Sequence, residues 1–470
     1  MANGEGSPGY GERTGFSLNV SRSGFIWEAN MKKQFVTKLL VSFLASASIL
    51  GGAAVPAYAA APAAVETQKS NGTGLTDDAL YLATYFGFAT GSTTDAPTFN
   101  ACLRNILANE SEYADGETPY PAVTGSVSWN NVLPVLLQAA DFSEFADTYP
   151  DSKVSSRLSK AGIGVPGDLV LAREIAAAVD ANLITVQQGK AAAAGTSMSA
   201  DDINSVLMAV ADATGNGRNY LGMSNDPAIY SKLDAAWHSF VLYDNQDLTK
   251  LGTTLLNQKN ITGFNLKDDA CNARFIENLT ITYSHDNIEH AKQLVALLNS
   301  ENLTAKVALE PKVSSYEYLL DWGPVPAPTP TYEVRKAADH FYVVYSMEYD
   351  LKLEFVNQTD LNAFNQVILS YAKKTSSNSD CKGMIKKAWW QPCYTTTNPL
   401  MAADSQYKPV TDMNIQSDGF TLKTFVTTDD TAKVEAAANK LIHSSSIRLQ
   451  PVTRYCNNAF YNYLTGTDYQ

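Results

Sequence analysis

His285-Asp286-Asn287-Ile288-Glu289-His290 sets two imidazoles and two carboxylates within six residues. Zinc proteases grip their metal between histidines four residues apart on one helix face, with a glutamate as base. Here the histidines are five apart, and His285 falls before the helix that the following residues predict. The spacing therefore predicts surface histidines and no metal site. Asp212-Ala213-Thr214-Gly215-Asn216-Gly217 matches the opening of a calcium loop, but its twelfth position is Met223, where a bidentate glutamate is needed. A helix stop explains the stretch more simply. The chain contains no GxSxG, Walker or dinucleotide-binding signature, so no catalytic residue and no cofactor is assigned. Its carboxylates form no pair readable in sequence. A glycosidase acid pair would not be expected to, because such pairs are not local in the chain.

Two further groups of residues stand out. Trp389-Trp390 falls in a stretch, Ala388 to Tyr394, that reads as a strand, where adjacent side chains point to opposite faces. One indole then enters the core, while the other is covered or left exposed as a binding surface. Cys381 and Cys393 flank Lys382–Pro392 and are the expected disulfide pair, stapling that loop and positioning the tryptophan strand. The cysteine spacing fits no zinc or CxxC redox pattern.

The elements that would position these residues recur. Leu279 to Lys312 reads strand, helix, strand: Leu279, Ile281 and Tyr283 alternate with polar residues, then Ile288, Ala291, Leu294, Val295 and Leu298 make one helical stripe. Ser284 and Asp286 are the expected caps. Phe420 to Arg454 repeats the order, and a third copy starts at Tyr349 and reaches its second strand near Ala388. Helices of this kind bury their stripe on a sheet, so paired units predict ferredoxin-like sandwiches. Trp322 to Pro330 reads as a stiff proline-rich connector between the first and second units. Phe341 to Phe355 is a long Tyr- and Val-rich strand, with a change of apolar parity near Ser346 that suggests a bulge. Such a strand suits a sheet edge or a hairpin arm, and as an edge it would invite pairing between chains.

Ahead of these units the chain is helical and rich in Ala and Leu. The stretch AREIAAAVDANLITVQQGKAAAAGTSMSADDINSVLMAVADATG resembles an S-layer homology repeat, with Asn182-Leu183-Ile184 at the turn and Ser199-Ala200-Asp201-Asp202 at the second helix start. The segment Leu75 to Ala108 is a second, degenerate copy. The resemblance covers under half of the exported chain. It implies anchoring to an anionic cell-wall polymer, although Ala200 stands where the family carries its basic residue.

Met31 opens MKKQFVTKLLVSFLASASILGGAAVPAYAA, with Lys32, Lys33 and Lys38 before an apolar run and Ala57-Tyr58-Ala59 as a small-x-small site. This is the pattern of a secretory signal peptide. Residues 1–30, Gly- and Ser-rich and without apolar period, read as an upstream leader translated in frame. The whole chain carries −13. Residues 1–59 hold five Lys/Arg and three Asp/Glu, so their removal takes the balance to −15. Such acidity argues against nucleic acid as a partner.

These readings give an α+β multidomain protein: leader and signal peptide over 1–59, a helical domain over 60–260, a βαβ unit over 261–323, a Pro-rich linker over 324–331, and two more βαβ units over 332–470. The expected function is that of an exported cell-surface structural or binding protein. Its expected partners are cell-wall polymer or further copies of itself, with no membrane span after signal cleavage. The alternative is a secreted glycan hydrolase with a non-local carboxylate pair.

Overall fold

The computed structural model describes residues 75–88, 94–108, 120–371, 393–399, 401, 407–426, 430–442 and 444–465. Helices come first: α1 Asp77–Phe86, α2 Ala96–Leu107, α3 Trp129–Ala139, α4 Ser143–Asp147, α5 Asp151–Lys160, α6 Leu169–Asp180, α7 Val186–Ala193 and α8 Ala200–Ala213. Their starts are written in the sequence. Thr76, Asp95 and Asp168 accept backbone N–H groups of the first turn, and Thr185/Gln188 and Ser199/Asp202 form reciprocal capping boxes. Pro134 lies inside α3 without ending it. The apolar faces meet in one core that includes Phe99, Leu103, Trp129, Leu133, Leu136, Ile175, Val206 and Leu207. At Gly189 an added Cβ would lie 2.9 Å from Ile163 and 3.1 Å from Val179, so the small residue lets α7 press against α6. The residues that resemble an S-layer homology repeat fold as α6, α7 and α8, with Asn182 in the left-handed conformation just past the end of α6.

The other described residues build one barrel with its cover. Its strands are β1 Gly222–Met223, β2 Gly263–Asp268, β3 Thr280–His285, β4 Ala305–Tyr318, β5 Tyr332–Ala338, β6 Phe341–Phe355, β7 Cys393–Thr396, β8 Tyr407–Ser417, β9 Phe420–Thr424 and β10 Arg448–Asn457. Its helices are α9 Ile229–Ser239, α10 Gln246–Asn257, α11 Ile288–Ser300, α12 Gln358–Tyr371, α13 Thr431–Leu441 and α14 Asn458–Thr465. Strands pair in the order β4-β2-β9-β8-β10-β7-β3-β6, and β6 returns to β4. That last ladder runs from Ala305↔Phe355 to Tyr318↔Tyr342 and closes eight antiparallel strands. β1 and β5 are added outside, on β4 and β6.

This closure corrects the expectation of three ferredoxin-like βαβ units. The first and last repeats do fold as strand, helix, strand: β3–α11–β4 and β9–α13–β10. Their strands, however, do not pair with each other. β6 lies between β3 and β4, and β8 lies between β9 and β10. The alternation that reads as a half-wet sheet holds, but the polar face rolls inward and seals on itself. The apolar face is turned outward beneath the helices. α11 sets Leu294, Val295 and Leu298 in one cluster with Ile281, Val307, Leu309, Leu351 and Leu353. α10 and α13 share a second cluster with Phe264, Leu266, Val313, Met413, Ile415 and Leu422. Each such side chain contributes about 1.5–3 kcal/mol on burial, so the helices hold the barrel shut from outside.

Other expectations shift with closure. β6 is paired along both sides, by β4 on one and by β3 and β5 on the other, so it is no free edge. The outer edge falls to β5, which carries Glu333, Arg335 and Lys336, charges of the kind that discourage pairing between chains. The register shift lies in β5, between Lys336 and Ala338, rather than at Ser346. The proline-rich stretch joins β4 to β5 of the same barrel and is packed down. Trp322 is buried edge-on against Tyr318, the Tyr318 hydroxyl lies 3.2 Å from the carbonyls of Gly323 and Pro324, and Pro330 O accepts from Leu242 N.

Candidate functional site

The barrel interior is filled with charge. Lys267 Nζ on β2 lies 2.7 Å from Glu310 Oε2 on β4 and also bonds Asp350 on β6. Lys312 Nζ reaches Asp350 Oδ1 at 2.8 Å and Glu348 Oε2 at 3.7 Å, and Lys352 Nζ meets Glu310 Oε1 at 3.0 Å. On the opposite wall Asp412 Oδ2 takes Lys423 Nζ at 2.9 Å and faces Arg454 Nε at 3.3 Å, close enough for attraction but off the hydrogen-bond axis. Hydroxyls and amides complete the shell. Ser284 Oγ donates to Asp350, Ala273 N donates to Glu310 Oε1, and Ser314 Oγ lies 2.6 Å from both Asn265 Oδ1 and Glu348 Oε2.

Strand register explains the crowding. Glu310 and Asp350 are directly opposite on β4 and β6, as are Lys312 and Glu348. Two carboxylates face to face would repel and one would take a proton. Burial pushes Glu310 and Asp350 that way, but Lys267 between them, with Lys352 and Lys312 beside them, prevails. Glu310 is held down to about 2 and Asp350 well below its ordinary value. Lys267 is correspondingly raised, Asp350 and Glu310 outweighing its burial. Glu348 has a weaker cation partner, and burial raises it. Burial also lowers Lys423, despite Asp412.

One side of this interior opens to a cleft lined by Lys352, Arg454, Thr280, Thr282, Thr395, Thr396 and Thr397, together with Phe275 and exposed Glu277. Part of the lining is one row across three strands: Lys352 is opposite Thr282, and Thr282 is opposite Thr395. Thr396 Oγ1 donates to Thr280 O and Thr280 Oγ1 to Ile276 O. Thr397 Oγ1 is buried with no hydrogen-bond partner among the described residues.

The sequence singled out other residues. Trp389, Trp390 and Cys381 lie outside the described residues, and with them the Cys381–Cys393 staple; Cys393 starts β7. His285 and His290 are not surface histidines. His290 is buried, and its Nδ1 lies 2.8 Å from His285 Nε2, because β3 ends where α11 begins and the turn folds the rings together. The helix cap is Asn287, whose Oδ1 accepts from Glu289 N, while Ser284 is spent on Asp350. Among the described residues no group of three or more His, Cys, Asp and Glu side chains is placed to hold a metal. At the apparent calcium loop, Gly215 adopts φ 71° just past α8, and the Arg274 guanidinium caps the carbonyls of Gly215 and Gly217. The loop is a helix stop. Among the described residues no helix is long and apolar enough to cross a membrane.

Sequence reasoning passed over the charged interior, although a signal was there. Glu348, Asp350, Lys352 and Glu354 occupy every second position of β6, and Glu310 and Lys312 do the same on β4. Charges of mixed sign at period two in the middle of long strands mark one polar face, which in this closed barrel is the lumen. Comparison with family models, with curated proteins and with solved structures finds no match to the chain.

Proposed function

We propose that this protein is an exported cell-surface binding or structural protein, held at the wall or against copies of itself, and that its barrel binds rather than transforms. The observation that carries this reading is the neutralisation of three of the lumen carboxylates. Glu310, Asp350 and Asp412 are each shared between two cations, and Glu310 and Asp350 are held ionised. A glycoside hydrolase needs one carboxyl that keeps its proton near neutrality beside one that does not. Glu310 and Asp350, register partners on the adjacent strands β4 and β6, cannot divide those roles with Lys267 between them. The signal-peptide pattern, the acidic balance and the absence of catalytic signatures in the sequence agree with a binder outside the cytoplasm.

Cell fractionation tests the proposal. The protein should accumulate in the envelope fraction, be released by wall-degrading treatment, and show no activity on envelope glycans. Recovery solely as a freely diffusing monomer in the culture fluid, or glycan cleavage lost in Glu310→Gln and Asp350→Asn variants that remain folded, would overturn it.

A further inference from the structure

We infer that the threonine-lined cleft is a binding site for a compact oxyanion, a phosphate or phosphomonoester group seated between Lys352 and Arg454. The inference deepens the binding role proposed above and rests on it. Its first support is charge. Among the described residues the cleft lining holds two cations, Lys352 and Arg454, against one carboxylate, Glu277. A cationic surplus inside a chain of net charge −13 is the reverse of what its surface would supply.

The second support is where the surplus sits. Lys352 and Arg454 hold the weaker share of their carboxylates. Glu310 also takes the shorter bond from Lys267, at 2.7 Å against 3.0 Å from Lys352. Asp412 takes Lys423 at 2.9 Å and meets Arg454 through Nε alone, at 3.3 Å and poorly aligned. These two least satisfied cations are the two that line the cleft. Arginine offers a planar fork suited to two oxygens of one oxyanion, and lysine a point charge for a third.

The third support is the lining between them. Thr282, Thr395 and Thr397 bring hydroxyls to the same opening, and Thr397 Oγ1 is buried without a partner among the described residues. A buried hydroxyl left without a partner costs about 1–3 kcal/mol, so a ligand oxygen there satisfies a standing need. Among the described residues Glu277 is the one carboxylate of the cleft lining, and it is exposed, where water screens it.

Isothermal calorimetry on the full exported chain tests the site, with inorganic phosphate, glycerol 3-phosphate and, as comparison, chloride at matched ionic strength. Saturable one-to-one binding of phosphate is expected, weakened at least tenfold in Lys352→Gln and in Arg454→Gln and unchanged in Lys336→Gln on the β5 edge. Binding of phosphate but not of the ester assigns the site to a free ion; binding of both assigns it to the terminal group of a larger ligand. Either supports the oxyanion site. In wild-type protein the backbone amide NMR signals of Thr395, Thr396 and Thr397 should shift with phosphate, a readout that needs no variant to fold. No saturable binding, or binding that Lys352→Gln and Arg454→Gln leave intact with those signals unmoved, overturns the inference. Envelope retention alongside absent phosphate binding would sink this site while leaving the surface role standing.

Discussion

His290 Nδ1 and His285 Nε2 lie 2.8 Å apart, with the rings at 69° to each other. One of these nitrogens must be bare, because two N–H groups facing at that distance would repel. His285 Nδ1 is already met by the backbone N–H groups of Asp286 and Asn287, and the Tyr283 hydroxyl lies 3.5 Å from His290 Nδ1. Burial, and then the His285 charge, lower His290 to about 4, with Asp286 opposing. A folded pKa below the ordinary value means the unfolded chain takes up the proton first. The penalty is therefore absent above about pH 6.5, grows as pH falls, and is complete near pH 4, where it reaches about 3 kcal/mol. Urea unfolding of wild type and His290→Gln between pH 7.5 and 4 checks this. The variant should lose that much of the acid slope, and parallel slopes would refute it.

Lys267 should matter far more than a lysine of similar pairing on the surface. Lys267→Met leaves Glu310 and Asp350 opposed in the lumen with only Lys352 and Lys312 to hold them. Removing one partner of a buried ion pair costs about 3–5 kcal/mol. Lys259 also pairs with a carboxylate, Glu317, but its side chain is 62% exposed. Lys259→Met should cost no more than about 1 kcal/mol. Chemical denaturation of both variants measures the contrast, and equal losses would show that the lumen network is not buried from water.

The contrast also marks how far the sequence can be read. Helices α1, α2, α3, α6 and α8 were legible because their signals are local: Ser199 and Asp202 are three apart, and the apolar stripe repeats within a turn. The strands of the first and last repeats and Phe341–Phe355 were legible for the same reason, whereas β2, β5 and β8 were not read. Closure was not legible. The pairing of Ala305 with Phe355 and of Tyr455 with Thr396 is fixed by contacts far apart in the chain. An alternating strand looks the same whether its polar face meets water or another wall of the barrel. The contact between the histidines was missed although His285 was already set before the helix, because the turn that folds a strand-end ring onto a helix-start ring leaves no spacing signal. Lys352 and Arg454 were invisible as a pair because 101 positions separate them.

Gly252 offers a test of the outer packing. An added Cβ would sit 2.8 Å from Leu422 Cδ1 and 2.9 Å from two ring atoms of Phe264. Alanine favours a helix interior over glycine by about 1 kcal/mol. Overpacking a tight core costs about 1–3 kcal/mol. With both contacts under 3 Å and both neighbours fully buried on strands, packing should win. Gly252→Ala is therefore expected to lower stability by about 1 kcal/mol, read as a fall in melting temperature. A rise would show that α10 floats on the barrel rather than pressing on it.

The last prediction concerns the join between helices and barrel. Arg218 is buried, with Nη2 3.1 Å from Asp77 on α1 and Nε 2.9 Å from Glu354 on β6. Lys306 on β4 bridges the same two carboxylates at 3.0 and 3.1 Å, and the guanidinium lies over the Tyr81 ring. The four charges balance, so each is tolerable only while the others remain. Arg218→Met keeps most of the side-chain volume but leaves two carboxylates to one lysine. The expected loss is about 3–5 kcal/mol, the cost of breaking a buried pair. It should fall on one seam. Hydrogen exchange should rise along α1 and at Ile276, whose N–H donates to Glu354, while the β8–β10 ladder stays protected. Adding Glu354→Gln removes the stranded charge, so the double variant should recover part of the loss, with a coupling of about 0.5–3 kcal/mol. Strictly additive losses, or exchange that rises equally through β8 and β10, would mean that Arg218 fills space without locking the helical layer to the barrel.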